Sequence, residues 1–149
     1  MSYLTDKAFS PGDLLTQFEE DLGDAGGVVS FTGYVREQAA SGTVSILHLQ
    51  PHPVLTEKGI SEAEETARTR WPLTACFILH RIGDMGPGEA IVMVATASRH
   101  RRAAFEAADF LMDYLKTEAV FWKKETTSTG SHWIEPRAED YEDRKRWQA

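Results

Sequence analysis

Between Arg99 and Lys124 the chain carries six cations (Arg99, Arg101, Arg102, Lys116, Lys123, Lys124) against four acids (Glu106, Asp109, Asp113, Glu118). The whole protein has 16 Lys+Arg, 23 Asp+Glu and a net charge of −7, so this segment is a positive island in an acidic chain. Such an island is either an anion site or a helix surface whose cations pair with acids three or four positions away. Two details favour the site. Ser98-Arg99-His100-Arg101-Arg102 falls where a strand gives way to a helix, and cations beside the unsatisfied N–H groups of a first turn attract phosphate or carboxylate. Phe121-Trp122-Lys123-Lys124-Glu125 interleaves aromatics and lysines. In a strand this puts Phe121 and Lys123 on one face and Trp122 and Lys124 on the other, so only one of these lysines lines a given pocket. Lys116 precedes Lys123 by seven residues across a helix-to-strand turn, where the two ammonium groups can converge. Clustered cations lower one another's pKa, which suits a lysine to acid–base or nucleophilic work near neutral pH.

Other reactive residue types offer less. Cys76 lies within Ala75-Cys76-Phe77-Ile78-Leu79 and reads as a small buried hydrophobe rather than a reactive thiol. As the single cysteine it excludes an internal disulfide and a multi-cysteine metal site, and the five histidines lack the close ligand spacings of zinc sites, so no metal is expected. His80-Arg81, at a strand end, either touches a ligand or braces a hairpin. Gly83 to Gly88 is not a phosphate loop, since no Lys-Ser/Thr follows and no helix opens there. Nothing resembles a nucleophile elbow.

The elements that must position these groups are legible from periodicity and punctuation. Ser10-Pro11-Gly12-Asp13 starts a short helix reaching about Asp21. Val28 to Arg36 is a strand, the Gly/Ser/Ala-rich stretch to Gly42 a mobile loop, and Val44 to Gln50 the next strand. Ile60, Ala63 and Ala67 mark the buried face of a helix over Leu55–Arg70, which Pro72 ends. Leu73–Ile82 and Glu89–Ala97 form a hairpin joined by the turn formers Gly83 to Gly88. His100 to about Thr117 is the longest helix, with Ala104, Ala108, Leu111 and Leu115 on one stripe. Val120-Phe121-Trp122 opens a strand with which Ser131–Ile134 pairs, and residues 1–9 and about 138–149 are expected to be flexible.

Strands in runs, with two or three helices, define an α+β fold of mostly antiparallel sheet, and 149 residues without a linker or repeat make one domain over 1–149. The 42% hydrophobic and 26% charged composition is that of a folded domain. The net charge argues against a nucleic-acid binder using Phe121 and Trp122 as stacking platforms, and against anionic lipid. Neither a membrane span nor a signal peptide is apparent, which points to the cytoplasm.

Taken in order, several pieces resemble the MoaE family, the large subunits of molybdopterin synthase. They are Phe31-Thr32-Gly33-Tyr34-Val35-Arg36, Thr56-Glu57-Lys58 with Arg70-Trp71-Pro72-Leu73, His80-Arg81-Ile82-Gly83 with Pro87-Gly88, and Ser98 to Phe105. Met112-Asp113-Tyr114-Leu115-Lys116, Phe121 to Glu125, and Gly130 to Trp133 complete them, so the resemblance runs from about Gly26 to Arg137. It implies an α/β-hammerhead-like fold and an enzyme that adds two sulfurs to cyclic pyranopterin monophosphate, forming the dithiolene of molybdopterin. It also implies a small ubiquitin-like partner of the MoaD type, carrying the sulfur as a thiocarboxylate on its C-terminal Gly-Gly, and a homodimer of large subunits within a heterotetramer. No cofactor is implied, and the lone cysteine fits sulfur that arrives from outside.

By the same resemblance Lys116 and Lys123 are catalytic, and Tyr34, Val35, Arg36, His100, Arg101, Lys124, Glu125 and Arg137 join them in binding substrate. Arg36 and Arg101 suit phosphate, which guanidinium holds by forked charge-assisted bonds. If Arg101 and Lys116 share a helix, fifteen residues at roughly 1.5 Å each separate them by about 22 Å, which predicts a pocket shared across the dimer. Two departures stand out. Gln50-Pro51-His52-Pro53-Val54-Leu55 replaces a Glu-His-Tyr-like stretch, and its prolines should distort the strand end and change binding near His52. Val120 stands where the family has proline. The competing class is a non-catalytic module docking a ubiquitin-like protein or an anionic metabolite, against which both lysines argue.

Overall fold

The computed structural model describes residues 2–40, 42–135 and 138–148. The chain folds as an α+β domain around two sheets, as the strand-rich pattern predicts. The first sheet has the order β1-β5-β7-β2, with β1 (Leu4–Thr5) parallel to β5 (Leu73–Arg81), and β7 (Ala90–Ser98) antiparallel to both β5 and β2 (Gly27–Tyr34). Helices α2 (Leu55–Arg70) and α3 (Arg101–Thr117) cover one face of it. Ile60, Ala63 and Ala67 of α2 meet Ala108, Leu111 and Leu115 of α3 over Ile78, Val92 and Val94. The predicted stripes are therefore the buried ones, and their alanines let α3 sit close to the sheet, with Thr96 Oγ1 donating to the Ala104 carbonyl at 2.7 Å. At Gly59 an added Cβ would strike the Tyr114 hydroxyl, so any other residue there would force that side chain to shift.

The second sheet is β3 (Gln38–Ala39), β4 (Gly42–Pro51), β8 (Phe121–Thr127) and β9 (Gly130–Ile134), with β6 (Gly83–Met85) also on β4. Val35, Val44, Leu47, Leu49 and Met85 form its own core. Two expectations are corrected here. The stretch before Gly42, expected to be a mobile loop, contains β3, which pairs Gln38 with Thr43 and Ala39 with Gly42. Gly83 to Gly88 is not only a turn between β5 and β7: it leaves the first sheet so that β6 can pair with β4 and bury Met85 at 2% exposure. Turn-forming composition reports local backbone freedom and says nothing of a partner strand far away in sequence. Gly83 and Gly88, at φ 84° and 85°, make the two reversals.

Helix α1 (Pro11–Phe18) starts as predicted, with Ser10 Oγ accepting from the Asp13 N–H, and ends three residues before Asp21. At the departure around His52, β4 still reaches Pro51, paired with Phe121. His52 then caps α2: its Nδ1 accepts from the N–H groups of Val54 and Leu55 at 3.1 and 3.0 Å, in place of the missing side-chain cap on Val54.

Some of the terminal residues expected to be flexible make defined contacts with the rest of the fold. Leu4 and Thr5 extend the first sheet, and the His80 N–H donates to the Tyr3 carbonyl at 2.8 Å. Residues Ala138–Arg144 form α4, followed by a 3-10 turn over Lys145–Trp147. Trp147 packs edge-on against Trp71 and Phe110, Arg70 lies 5.0 Å over Trp71, and Asp113 accepts from Arg146 Nη2 and Trp147 Nε1 at 2.7 and 2.6 Å. The charged composition that suggested a loose tail hides one tryptophan, Trp147, which completes a cluster with Trp71, 76 residues before it, and Phe110. Among the described residues no helix is long and apolar enough to cross a membrane.

Candidate active site

Strand β8 decides which lysine belongs to which face. Lys123 pairs with Leu49, Glu125 with Leu47 and Thr127 with Val44, three residues of the second core. Lys123 and Glu125 therefore share the inner face of the sheet, and Trp122 and Lys124 lie on the outer face. There Lys124 Nζ sits 5.2 Å over the ring of Trp133, its cross-strand partner on β9. The alternation read from sequence holds, and it separates Lys124 from Lys123.

Lys116 lies exposed in the last turn of α3 and Lys123 half-buried on β8, and both act on one group, His80. This imidazole is buried at 7% exposure, its Nδ1–H donates to the Arg81 carbonyl at 2.9 Å, and its ring stacks on Phe121 at 4.3 Å. Burial first, and then the repulsion of Lys116 and Lys123, push its pKa down to about 4. The sequence left His80 between ligand contact and hairpin brace. The structure gives the brace to its neighbour: Arg81 donates to Glu89 at 2.6 Å and to the Asp84 carbonyl at 3.4 Å, while Glu89 also takes the Gly86 N–H. The Arg81 guanidinium, and then that N–H, hold the Glu89 carboxyl below its ordinary value.

A stability prediction follows from His80. The unfolded chain takes up the imidazole proton near pH 6.5 and the folded chain only near 4, so stability falls as pH drops through that window. The full loss is about 3 kcal/mol. Urea unfolding at pH 7 and at pH 4.5 should show it, with a shallower slope in His80→Phe. An equal slope in the two proteins would refute the assignment.

The substrate-binding residues expected from sequence are dispersed. Tyr34, 51% exposed, ends β2, and Arg36 follows on the exposed connection to β3. Val35 between them is 4% exposed in the second core, with its N–H and carbonyl bound to Glu89 and Gly88, so its side chain packs the fold and does not line a surface. His100 is the exposed N-cap of α3 and Arg101 its exposed first residue, at the opposite end of that helix from Lys116. Arg137 lies outside the described residues.

The positive island is sharper than its composition. Three of its four acids are taken by the C-terminal segment: Asp109 and Asp113 by Arg146, and Glu118 by Arg144 at 2.9 Å. The alternative in which α3 pairs its own cations and acids is not what these three carboxylates do. No local sequence signal reveals this, because the arginines lie 26 to 37 residues beyond their partners. Cys76 is no competitor as a nucleophile, since burial, with Glu64 adding to it, pushes its thiol up to about 12.

An α+β domain in which lysines of two elements both bear on one buried neutral imidazole, with exposed arginines elsewhere on α3, is of a class suited to an anionic substrate. A sequence model of the family described as MoaE protein matches residues 4–118. The molybdopterin synthase catalytic subunit of Caulobacter vibrioides is 48% identical over 144 residues, 97% of this chain and 95% of that one. The Escherichia coli (strain K12) protein of the same name is 47% identical over 133 residues, 89% and 86% of the two chains. The solved structure of the molybdopterin biosynthesis MoaE protein from Burkholderia ambifaria has a TM-score of 0.82 at 36% identity, covering 100% of this chain and 99% of its own. The chain belongs to the MoaE family.

Proposed function

We propose that this chain is the catalytic subunit of a molybdopterin synthase. It transfers two sulfurs to cyclic pyranopterin monophosphate from the C-terminal thiocarboxylate of a small, ubiquitin-like, MoaD-type subunit, and forms the dithiolene of molybdopterin. The observation that carries this reading is that the charges of Lys116, at the end of α3, and Lys123, on the inner face of β8, both bear on the buried His80 ring, which stacks on Phe121. Lys116, at the exposed helix end, faces the incoming thiocarboxylate and stabilises the negative charge that develops during acyl and sulfur transfer. Lys123, more enclosed, exchanges protons with the pterin. Arg36 and Arg101 hold the phosphate, with Tyr34, His100 and Glu125 beside them. The chain needs no cofactor of its own, its inert Cys76 is consistent with sulfur delivered by the partner, and it works in the cytoplasm. Incubating it with thiocarboxylated small subunit and the cyclic pterin should yield dithiolene product. No product from the wild type would leave only a docking module.

The placement of Arg101 and Lys116 on one helix supports a pocket shared between two large subunits in a heterotetramer. Both lie on α3, fifteen residues and about 22 Å apart, beyond the reach of one pterin monophosphate. Mixing Lys116→Ala chains with Arg101→Ala chains should therefore restore activity that neither has alone, because some mixed dimers hold one intact pocket. No recovery, with both variants folded and dimeric, would remove the shared pocket from the proposal.

A further inference from the structure

His80 stands at the junction of three elements. Its own strand β5 ends one residue later. Its ring lies on Phe121, the first residue of β8, at an interplanar angle of 28°. Lys116 of α3 and Lys123 of β8 are both close enough for their charges to act on it. Phe121 and Lys123 share a face of β8 by its two-residue alternation, so the ring packs on the face that presents Lys123. The residue is also fixed in orientation: its backbone N–H is bound to the Tyr3 carbonyl at 2.8 Å and its Nδ1–H to the Arg81 carbonyl at 2.9 Å. Among the described residues, the charges that act on the ring are those of Lys116 from α3 and Lys123 from β8, while Arg81, beside it on β5, is turned to Glu89. A third cation in this place would drive the two ammonium groups apart.

We propose that His80 is the positioning residue of the Lys116 and Lys123 pair: an uncharged ring, stacked on Phe121 and hydrogen-bonded to the Arg81 carbonyl, that seats the Lys123 face of β8 through Phe121 on the core cluster to which Leu115 of α3 belongs. It acts through the lysines and touches neither the pterin nor the sulfur. The proposal rests on the sulfur-transfer reading above and adds to it the residue that sets the geometry of its two lysines.

His80→Gln keeps an uncharged polar side chain and loses the stack, whereas His80→Phe keeps the stack. Each is assayed in the complex with thiocarboxylated small subunit and cyclic pterin, for kcat, KM and the pH dependence of kcat. His80→Gln should lower kcat roughly tenfold to hundredfold with KM little changed, since small misplacements of catalytic groups cost that much. Its pH profile should differ from the wild-type one, since the relative placement of the two ammonium groups changes. His80→Phe should recover most of the rate and the wild-type profile. A folded His80→Gln with wild-type kcat and pH profile overturns the proposal, as does a rate loss that only tracks the fraction of folded protein. Acetylation of the free chain by acetic anhydride, followed by peptide mass spectrometry, separates this outcome from failure of the functional reading. If the wild type makes no product, altered acetylation of Lys116 and Lys123 in His80→Gln, against an unaltered Lys58, still supports the positioning role. Unaltered acetylation of all three overturns it.

Discussion

Lys116→Ala should abolish dithiolene formation while leaving the protein folded. The side chain is exposed on the last turn of α3, and Leu111 and Leu115 of the same helix are seated in the first core. Alanine is the best helix former, so the change in stability should stay within about 0.5 kcal/mol. Its effect on rate is of another order. Removing a preorganised group that stabilises developing negative charge costs about a hundredfold to a thousandfold, and loss of proton transfer at the same centre adds to it. Product should therefore fall by roughly three orders of magnitude, with unfolding in urea unchanged. Lys116→Arg divides the roles, because arginine keeps the charge but does not give up its proton near neutral pH. Partial activity in that variant assigns Lys116 to charge stabilisation, and none assigns it to proton transfer. Activity of Lys116→Ala within tenfold of the wild type would remove Lys116 from the catalytic pair.

The second large effect is on stability, at the C-terminal clasp. Deleting residues after Arg144 takes Trp147 out of its cluster with Trp71 and Phe110, and Arg146 away from Asp109 and Asp113. Asp113 is only 9% exposed, so its carboxylate would be left buried without its two donors. Removing one side of a buried, hydrogen-bonded charge costs several kcal/mol, and the surface exposure of Arg146 reduces that. With the lost aromatic packing, the total is about 3 kcal/mol, or a fall in Tm on the order of 10 °C for a domain of this size. Asp113→Asn should show part of it, since an amide oxygen still accepts but carries no charge. The truncated chain should also lose rate beyond its loss of stability, because Asp113 lies one turn before Lys116 on α3. A truncated protein as stable as the full chain would show the clasp to be an ornament of the fold.

These two expectations differ in how far they follow from sequence. Lys116 and Lys123 stand out by residue type and spacing alone, because seven residues across a helix-to-strand turn is a short-range relation. The stripes Ile60, Ala63, Ala67 and Ala104, Ala108, Leu111, Leu115 are legible for the same reason, since burial of one helix face repeats every three or four residues. So is the division of β8 into a Lys123 face and a Lys124 face, which follows from the pleat.

What the sequence does not specify is every relation between residues distant along the chain. It reads Gly83 to Gly88 as a turn, but only the fold shows β6 lying on β4 and Met85 filling the second core. It leaves the basic island between an anion site and a helix surface that pairs its own charges, and only the fold shows three of the acids belonging to Arg144 and Arg146, far beyond it. Val35 reads as a neighbour of the substrate and is core, because a bulge between Gly33 and Tyr34 and its bonds to Gly88 and Glu89 turn it inward. Residue types and short spacings thus determined the chemistry available to this protein: two lysines, forked cations for an anion, and a cysteine that does not react. Only the tertiary structure decided that both lysines lie within electrostatic reach of one buried neutral imidazole and that the charged tail closes on α3. Those relations depend on which elements pack together, and packing is set by the whole hydrophobic pattern rather than by any local segment.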